Sequence, residues 1–192
     1  MKKQYILFGI CFTLISLNIS CKVSNHSYET LYEKELAKEN PDYFQELERV
    51  LYEFQDHLIE KGIIAHADHK SYRRLLRKIQ QENRKEFNIS YDLHGALKNI
   101  STLKNKNGIS MQGRAKLQKQ HHRKGFPEPF LSDQDLEVNH GKLNDALIAK
   151  RFLEYYGKKD YNRPLVRLKL FQFLSPNSEG VRYYYLGRPS KE

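Results

Sequence analysis

The sequence predicts an α+β domain, mostly helical, in which N-terminal helices pack with a small antiparallel sheet that includes a C-terminal hairpin. Three observations predict it. Phe44, Leu47, Leu51, Phe54 and Leu58 recur at spacings of 3, 4, 3 and 4, one face of a helix. Phe87, Ile89, Tyr91 and Leu93 alternate, as on a half-buried strand. Val166, Leu168 and Leu170 alternate with Arg167 and Lys169, and a β-prone run from Val181 to Leu186 follows the turn cluster Ser175-Pro176-Asn177-Ser178-Glu179-Gly180.

Taken in order, a first helix starts at Ser27 with Tyr28, Leu31, Tyr32 and Leu36 on one face. Asn40-Pro41 ends it and starts the second, with Asn40 as N-cap and Pro41 at the first helical position. Gly62 fits the left-handed position just past that helix. Its seam is about two heptads long, too short for a coiled coil and suited to a bundled helix. In the third helix Tyr72, Leu75, Leu76 and Ile79 mark one face, and Arg73, Arg74, Arg77 and Lys78 cover the other. That cationic face suits the acidic first two helices or a membrane, and pairing within the fold is the simpler reading. After the strand over 87–93 comes a short helix through Ala96, Leu97 and Ile100. A basic loop segment over about 98–127 follows, with a turn signal at Asn107-Gly108. Phe126-Pro127-Glu128-Pro129 is extended, because a residue before proline is pushed from helical angles. A long helix runs from about Lys142 to Tyr156, closed by Gly157. Phe171 and Phe173 break the alternation of the last strands, which suits a bulge.

The first residues form three zones. Lys2 and Lys3 are basic, Ile6–Leu17 is uncharged and mostly apolar, and Asn18-Ile19-Ser20 leads into Cys21 and polar sequence. This is the pattern of a secretory signal peptide; a membrane-spanning signal anchor is the alternative, and spanning needs ~20 mostly apolar residues. Leu17-Asn18-Ile19-Ser20-Cys21 resembles the lipobox of bacterial lipoproteins. The resemblance implies cleavage before Cys21, lipidation of its thiol and a membrane partner through the lipid anchor. Ser20 fits the small residue of that motif, and Asn18 stands where an apolar residue is usual. The expected organisation is a signal peptide over 1–21, a polar tether over 22–26 and one globular domain over 27–192. A domain of that length buries roughly 70% of its unfolded surface, so it needs no disulfide staples. None can form: of the two cysteines, Cys11 leaves with the leader and Cys21 carries lipid.

Charge is segregated. Without Lys2 and Lys3 the chain holds 31 basic and 23 acidic side chains, a net charge of +8. Leu93 to Pro127 contains no acid and eight bases: Lys98, Lys104, Lys106, Arg114, Lys116, Lys119, Arg123 and Lys124. Residues 27–60 carry ten acids against Lys34, Lys38 and Arg49. Of the basic residues, Lys104, Lys106, Arg114, Lys116, Lys119, Arg123 and Lys124 are candidates for binding an anionic envelope surface or protein partner. The alternative is a solvated segment, or one docked on the protein's own acidic helices. Export argues against nucleic acid as the physiological partner.

His66-Ala67-Asp68-His69 is the best metal candidate, with His66, Asp68 and His69 as ligands, although it lacks the i, i+4 spacing of the zincin motif. Gly108-Ile109-Ser110-Met111-Gln112-Gly113 misses the nucleophile-elbow spacing by one residue. Tyr155-Tyr156 and Tyr183-Tyr184-Tyr185 suit stacking on sugars or, more simply, packing. No catalytic constellation or cofactor motif stands out.

Three segments together resemble small extracytoplasmic bacterial proteins of the ExbD-like biopolymer-transport group. They are Leu58-Ile59-Glu60-Lys61-Gly62-Ile63-Ile64, the run Lys70–Ile79, and Asp160-Tyr161-Asn162-Arg163-Pro164-Leu165. That likeness implies an accessory place in an envelope transport complex. Residues 5–21 lack the acid that proton-coupled members carry in their membrane helix, which argues against a motor role. The leading expectation is a membrane-tethered, non-enzymatic binding or scaffold module of the bacterial envelope, facing the periplasm or exterior. The competing ones are a metal-dependent or other extracytoplasmic hydrolase and a transport-complex subunit.

Overall fold

The computed structural model describes residues 27–83, 87–104, 108–122 and 144–175. The leader, Cys21, the tether and Phe126–Pro129 lie outside these, as do the run from Val181 to Leu186, Tyr183–Tyr185, Lys106, Arg123 and Lys124.

Helix α1 spans Ser27–Glu39 and α2 spans Pro41–Glu60. Between them Asn40 leaves helical angles (φ −138°, ψ 63°), as expected before a proline. Its side chain does not cap α2. Nδ2 donates instead to the carbonyls of Leu36 (3.2 Å) and Gly108 (2.6 Å), tying the corner to a loop 68 residues on. Helix α2 buries Tyr43, Leu47, Val50, Leu51, Phe54, Gln55 and Leu58. It ends as expected at Gly62 (φ +65°). The Ile63 N–H bonds the Leu58 carbonyl and the Gly62 N–H the Ile59 carbonyl, both at 2.9 Å, the paired bonds of a Schellman turn.

Helix α3 (His69–Glu82) starts at Asp68, whose carboxylate accepts from the Ser71 N–H at 2.7 Å, and stops at left-handed Asn83 (φ +52°). It buries Tyr72, Leu75, Leu76 and Ile79. Its cationic face does not meet α1 and α2. Arg74, Arg77 and Lys78 are exposed, and Arg73 donates to the Leu153 (3.1 Å) and Tyr156 (3.3 Å) carbonyls. Those carbonyls belong to the end of α6 (Asp145–Tyr155), the helix on which α3 mainly packs. A cation at a helix C-terminus complements the helix dipole, which explains the placement.

The expected sheet is not there. Among the described residues there is no β-strand and 77% are helical. Residues 87–92 form no regular element, with tight turns from the Ile89 N–H to the Phe87 carbonyl and from the Leu93 N–H to the Tyr91 carbonyl, both 3.0 Å. The alternation is real: Ile89 and Leu93 are buried, and the Tyr91 ring meets Phe54 edge-on at 5.6 Å. A chain segment with one face buried shows period 2 whether it lies on a sheet or, as here, on a helix. The second expected strand is helix α7, Pro164–Leu174. Val166, Arg167, Leu168, Leu170, Phe171, Phe173 and Leu174 are all buried, and only Leu165, Lys169 and Gln172 form a half-buried strip, too narrow a face to show its period plainly. Pro164 at its first turn was the helix signal.

The described parts of the 98–127 segment are largely helical. Helix α4 (Leu93–Ile100) is capped by Asp92, which accepts from the Gly95 N–H at 2.9 Å. A 3-10 turn over Ser101–Leu103 follows, and α5 covers Met111–His122. Helix α2 supports α1, α4 and α7, and α5 packs on α1. Phe54, Tyr72 and Phe171 meet at the centre, with the Phe171 ring 5.1 Å from Phe54 and 5.9 Å from Tyr72.

Candidate anionic-surface interface

The acid-free stretch takes its acids from α1. Glu39, the last residue of α1, accepts from both the N–H and the hydroxyl (2.7 Å) of Ser110, and Ser110 Oγ accepts from the Gly113 N–H at 3.0 Å. Ser110 thus caps α5, with a carboxylate behind it where the helix dipole favours one. The Ser110 hydroxyl and N–H hold the Glu39 carboxyl below its usual range. This serine serves as a structural cap. One turn back, buried Glu35 accepts from Lys116 Nζ at 2.6 Å, with Lys38 Nζ at 3.9 Å.

These contacts divide the candidate cations. Lys116 is spent on Glu35, although its side chain stays 50% exposed. Lys104 is half-buried, its Nζ 5.6 Å from the Tyr43 ring centroid, and burial lowers its pKa. Lys98, Arg114 and Lys119 are exposed. Two apolar side chains stand out among them, Leu103 (45% exposed) and Met111 (86%), at the ends of the loop joining the 3-10 turn to α5. This edge can present cations and apolar groups together. The periodicity that locates helices gave no hint of it, because exposed Leu103 and Met111 read as ordinary apolar positions.

The metal candidate is differently employed. Asp68 is the α3 cap, and the hydrogen bonds from Ser71 hold its carboxyl below the usual range. The His66 N–H donates to Ser71 Oγ (3.2 Å), its ring is exposed, and His69 opens the helix. His57 Nε2 accepts from the Ser90 N–H at 3.3 Å. Among the described residues no group of three or more His, Cys, Asp or Glu is placed to hold a metal ion.

A polar cluster that the sequence reading passed over joins α1 to the C-terminal helices. Glu29, on α1, accepts from Lys169 and lies 3.3 Å from the Tyr156 hydroxyl; Lys169 Nζ is also 3.3 Å from that hydroxyl. One turn on, Glu33 pairs with Arg163 Nη2 at 3.4 Å, and Arg163 Nη1 reaches Asp160 at 3.4 Å. Burial raises the Glu33 carboxyl more than Arg163 lowers it, and burial together with Glu29 raises the Tyr156 hydroxyl well above its usual value. Tyr156 is a core residue, 1% exposed, and does not offer a ring to sugars. The cluster fastens α1 to α7. Its sequence signal is two acids four apart, on the helix face that also holds Leu36.

Among the described residues no helix is long and apolar enough to cross a membrane. No family model, curated protein or solved structure matches the chain.

Proposed function

We propose that this protein is a lipid-tethered, non-enzymatic binding or scaffold module of the bacterial envelope, held by Cys21 and resting its α4–α5 edge on an anionic lipid surface. One observation carries the reading. Of the three large hydrophobic side chains exposed among the described residues, Leu103 and Met111 both lie in the acid-free stretch that also carries exposed Lys98, Arg114 and Lys119. Exposed apolar groups in company with cations are what an interfacial contact needs: each Lys or Arg near an anionic leaflet contributes about 1 kcal/mol, and buried apolar area adds to it. The leader supports the tether, since two acyl chains anchor stably where one does not.

Sedimentation of the chain from residue 22 with vesicles tests the surface. Binding is expected with anionic and not neutral phospholipid, falling as salt rises. It should weaken when Lys98, Arg114 and Lys119 become Gln, and separately when Leu103 and Met111 become Ser. Binding unchanged by both sets would remove the proposal. Mass spectrometry of the mature N-terminus tests the anchor: an unmodified Met1, or cleavage elsewhere than before Cys21, would remove it.

A further inference from the structure

The remaining exposed large hydrophobic residue, Tyr52 (52% exposed), covers an unusual neighbour. Arg167, on α7, is only 5% exposed, and its guanidinium carbon lies 4.6 Å from the Tyr52 ring centroid. Its Nε is buried and has no hydrogen-bond partner. No carboxylate pairs with the guanidinium among the described residues. Asp56 and Asp68 are the acids near enough to act, with Arg167, on Tyr72; Asp56 is exposed, and Asp68 is committed to Ser71. Among the described half-buried basic groups, Arg163 has Glu33 and Asp160 on its Nη atoms although its Nε is also unpartnered, Lys169 has Glu29, and Lys104 lies against the Tyr43 ring.

An enclosed cation without a counter-charge is costly, and native structures leave buried polar groups unpaired only where something else satisfies them. A stacked tyrosine offsets part of that cost, yet it uses the face of the guanidinium and leaves the edge donors unused. Gln55 lies one turn from Tyr52 on the same face of α2. Its Oε1 accepts from the Tyr72 hydroxyl. A buried guanidinium with no carboxylate partner selects an anion, and the planar fork of arginine matches carboxylate and phosphate oxygens two at a time.

We propose that Arg167, roofed by Tyr52 between α2 and α7, binds the carboxylate or phosphate group of a small ligand. The site is separate from the α4–α5 edge and does not depend on it. The probes are inorganic phosphate and acetate, each titrated into the full chain at constant ionic strength with chloride as the balance. Thermal unfolding and the Nε–H resonance of Arg167 are followed together. At least one probe should raise Tm along a saturating curve and shift that resonance with the same midpoint. Which probe does so separates a phosphoryl from a carboxylate ligand. Arg167→Met should abolish the response. Arg167→Lys, which keeps the charge and loses the fork, should weaken it at least tenfold, and Lys116→Gln with Lys119→Gln should leave it intact. If Arg167→Met does not fold, the resonance and the Lys variant decide. A response equal in the Arg167 variants, or equal for phosphate, acetate and chloride, would mean general screening of a basic protein and would overturn the site.

Discussion

Adjacent residues distinguish the buried helix α7 from a half-buried strand. Leu170 and Phe171 are both fully enclosed at 0% exposure. On a strand, neighbours point to opposite faces, so only one of the two could face the core of a half-buried sheet. Leu170→Ala and Phe171→Ala should therefore both be costly. Truncating a buried Leu costs 2–5 kcal/mol and a buried Phe 3–5; we expect about 3 for Leu170 and about 4 for Phe171. Phe171 belongs high in its range because its ring contacts both Phe54 and Tyr72. Urea unfolding followed by helical circular dichroism is the assay. With a slope of about 2 kcal/mol per molar urea, the midpoints should fall by roughly 1.5 M and 2 M. Met111→Ala, at an 86% exposed position, should stay within about 0.5 kcal/mol of the native chain. If Leu170→Ala or Phe171→Ala also changed stability by no more than that, the enclosed helix would be wrong and the alternating strand restored.

Gly108→Ala should destabilise by roughly 1–3 kcal/mol, the cost of a left-handed non-glycine residue. Gly108 has φ +70°, and an added Cβ would sit 3.1 Å from Lys104 Cε and 3.3 Å from the Tyr32 hydroxyl, loosening the carbonyl that Asn40 grips; urea midpoints would show it, and an unchanged midpoint would contradict it. Burial holds the Glu33 carboxyl above its ordinary 4.5, so the folded state binds this proton more tightly than the unfolded chain does. Its contribution thus favours folding at low pH and falls away as pH rises through the raised value, and Glu33→Gln should flatten that segment of a stability–pH profile; an unchanged profile would refute the assignment. In an alkaline absorbance titration Tyr91 and Tyr161 should ionise only at about 12, chiefly because burial disfavours the phenolate, with Tyr72 and Tyr156 higher still. Loss of signal near pH 10 in Tyr161→Phe would contradict that.

Much of the helical frame was legible because its signals are local. The Phe44–Leu58 periodicity, Pro41 at a helix start and Gly62 at a helix end each depend on a few neighbouring residues, and α2 forms where they point. The Lys142–Tyr156 reading likewise finds α6, begun at Asn144, whose side chain accepts from the Leu147 N–H at 2.7 Å. The candidate sites were less legible. Asp68 reads equally as a ligand and as a cap until its carboxylate is seen on Ser71. Lys116 reads as a free cation until Glu35, 81 residues earlier, is found beneath it.

The sequence by itself determined where the chain is helical through its first three helices, how those helices stop, and that its positive charge gathers in one acid-free stretch. Only the tertiary structure decided what the alternating segments become. Period 2 reports that every second side chain is buried, and both a sheet and the flank of α2 can bury the 87–93 segment that way. Residues 164–174 mislead for a related reason: a helix surrounded by α2 and its neighbours needs little polar face, and only Leu165, Lys169 and Gln172 lie on its less buried side. The same enclosure created the unpaired Arg167, because which acids and rings surround a buried cation depends on how distant helices meet.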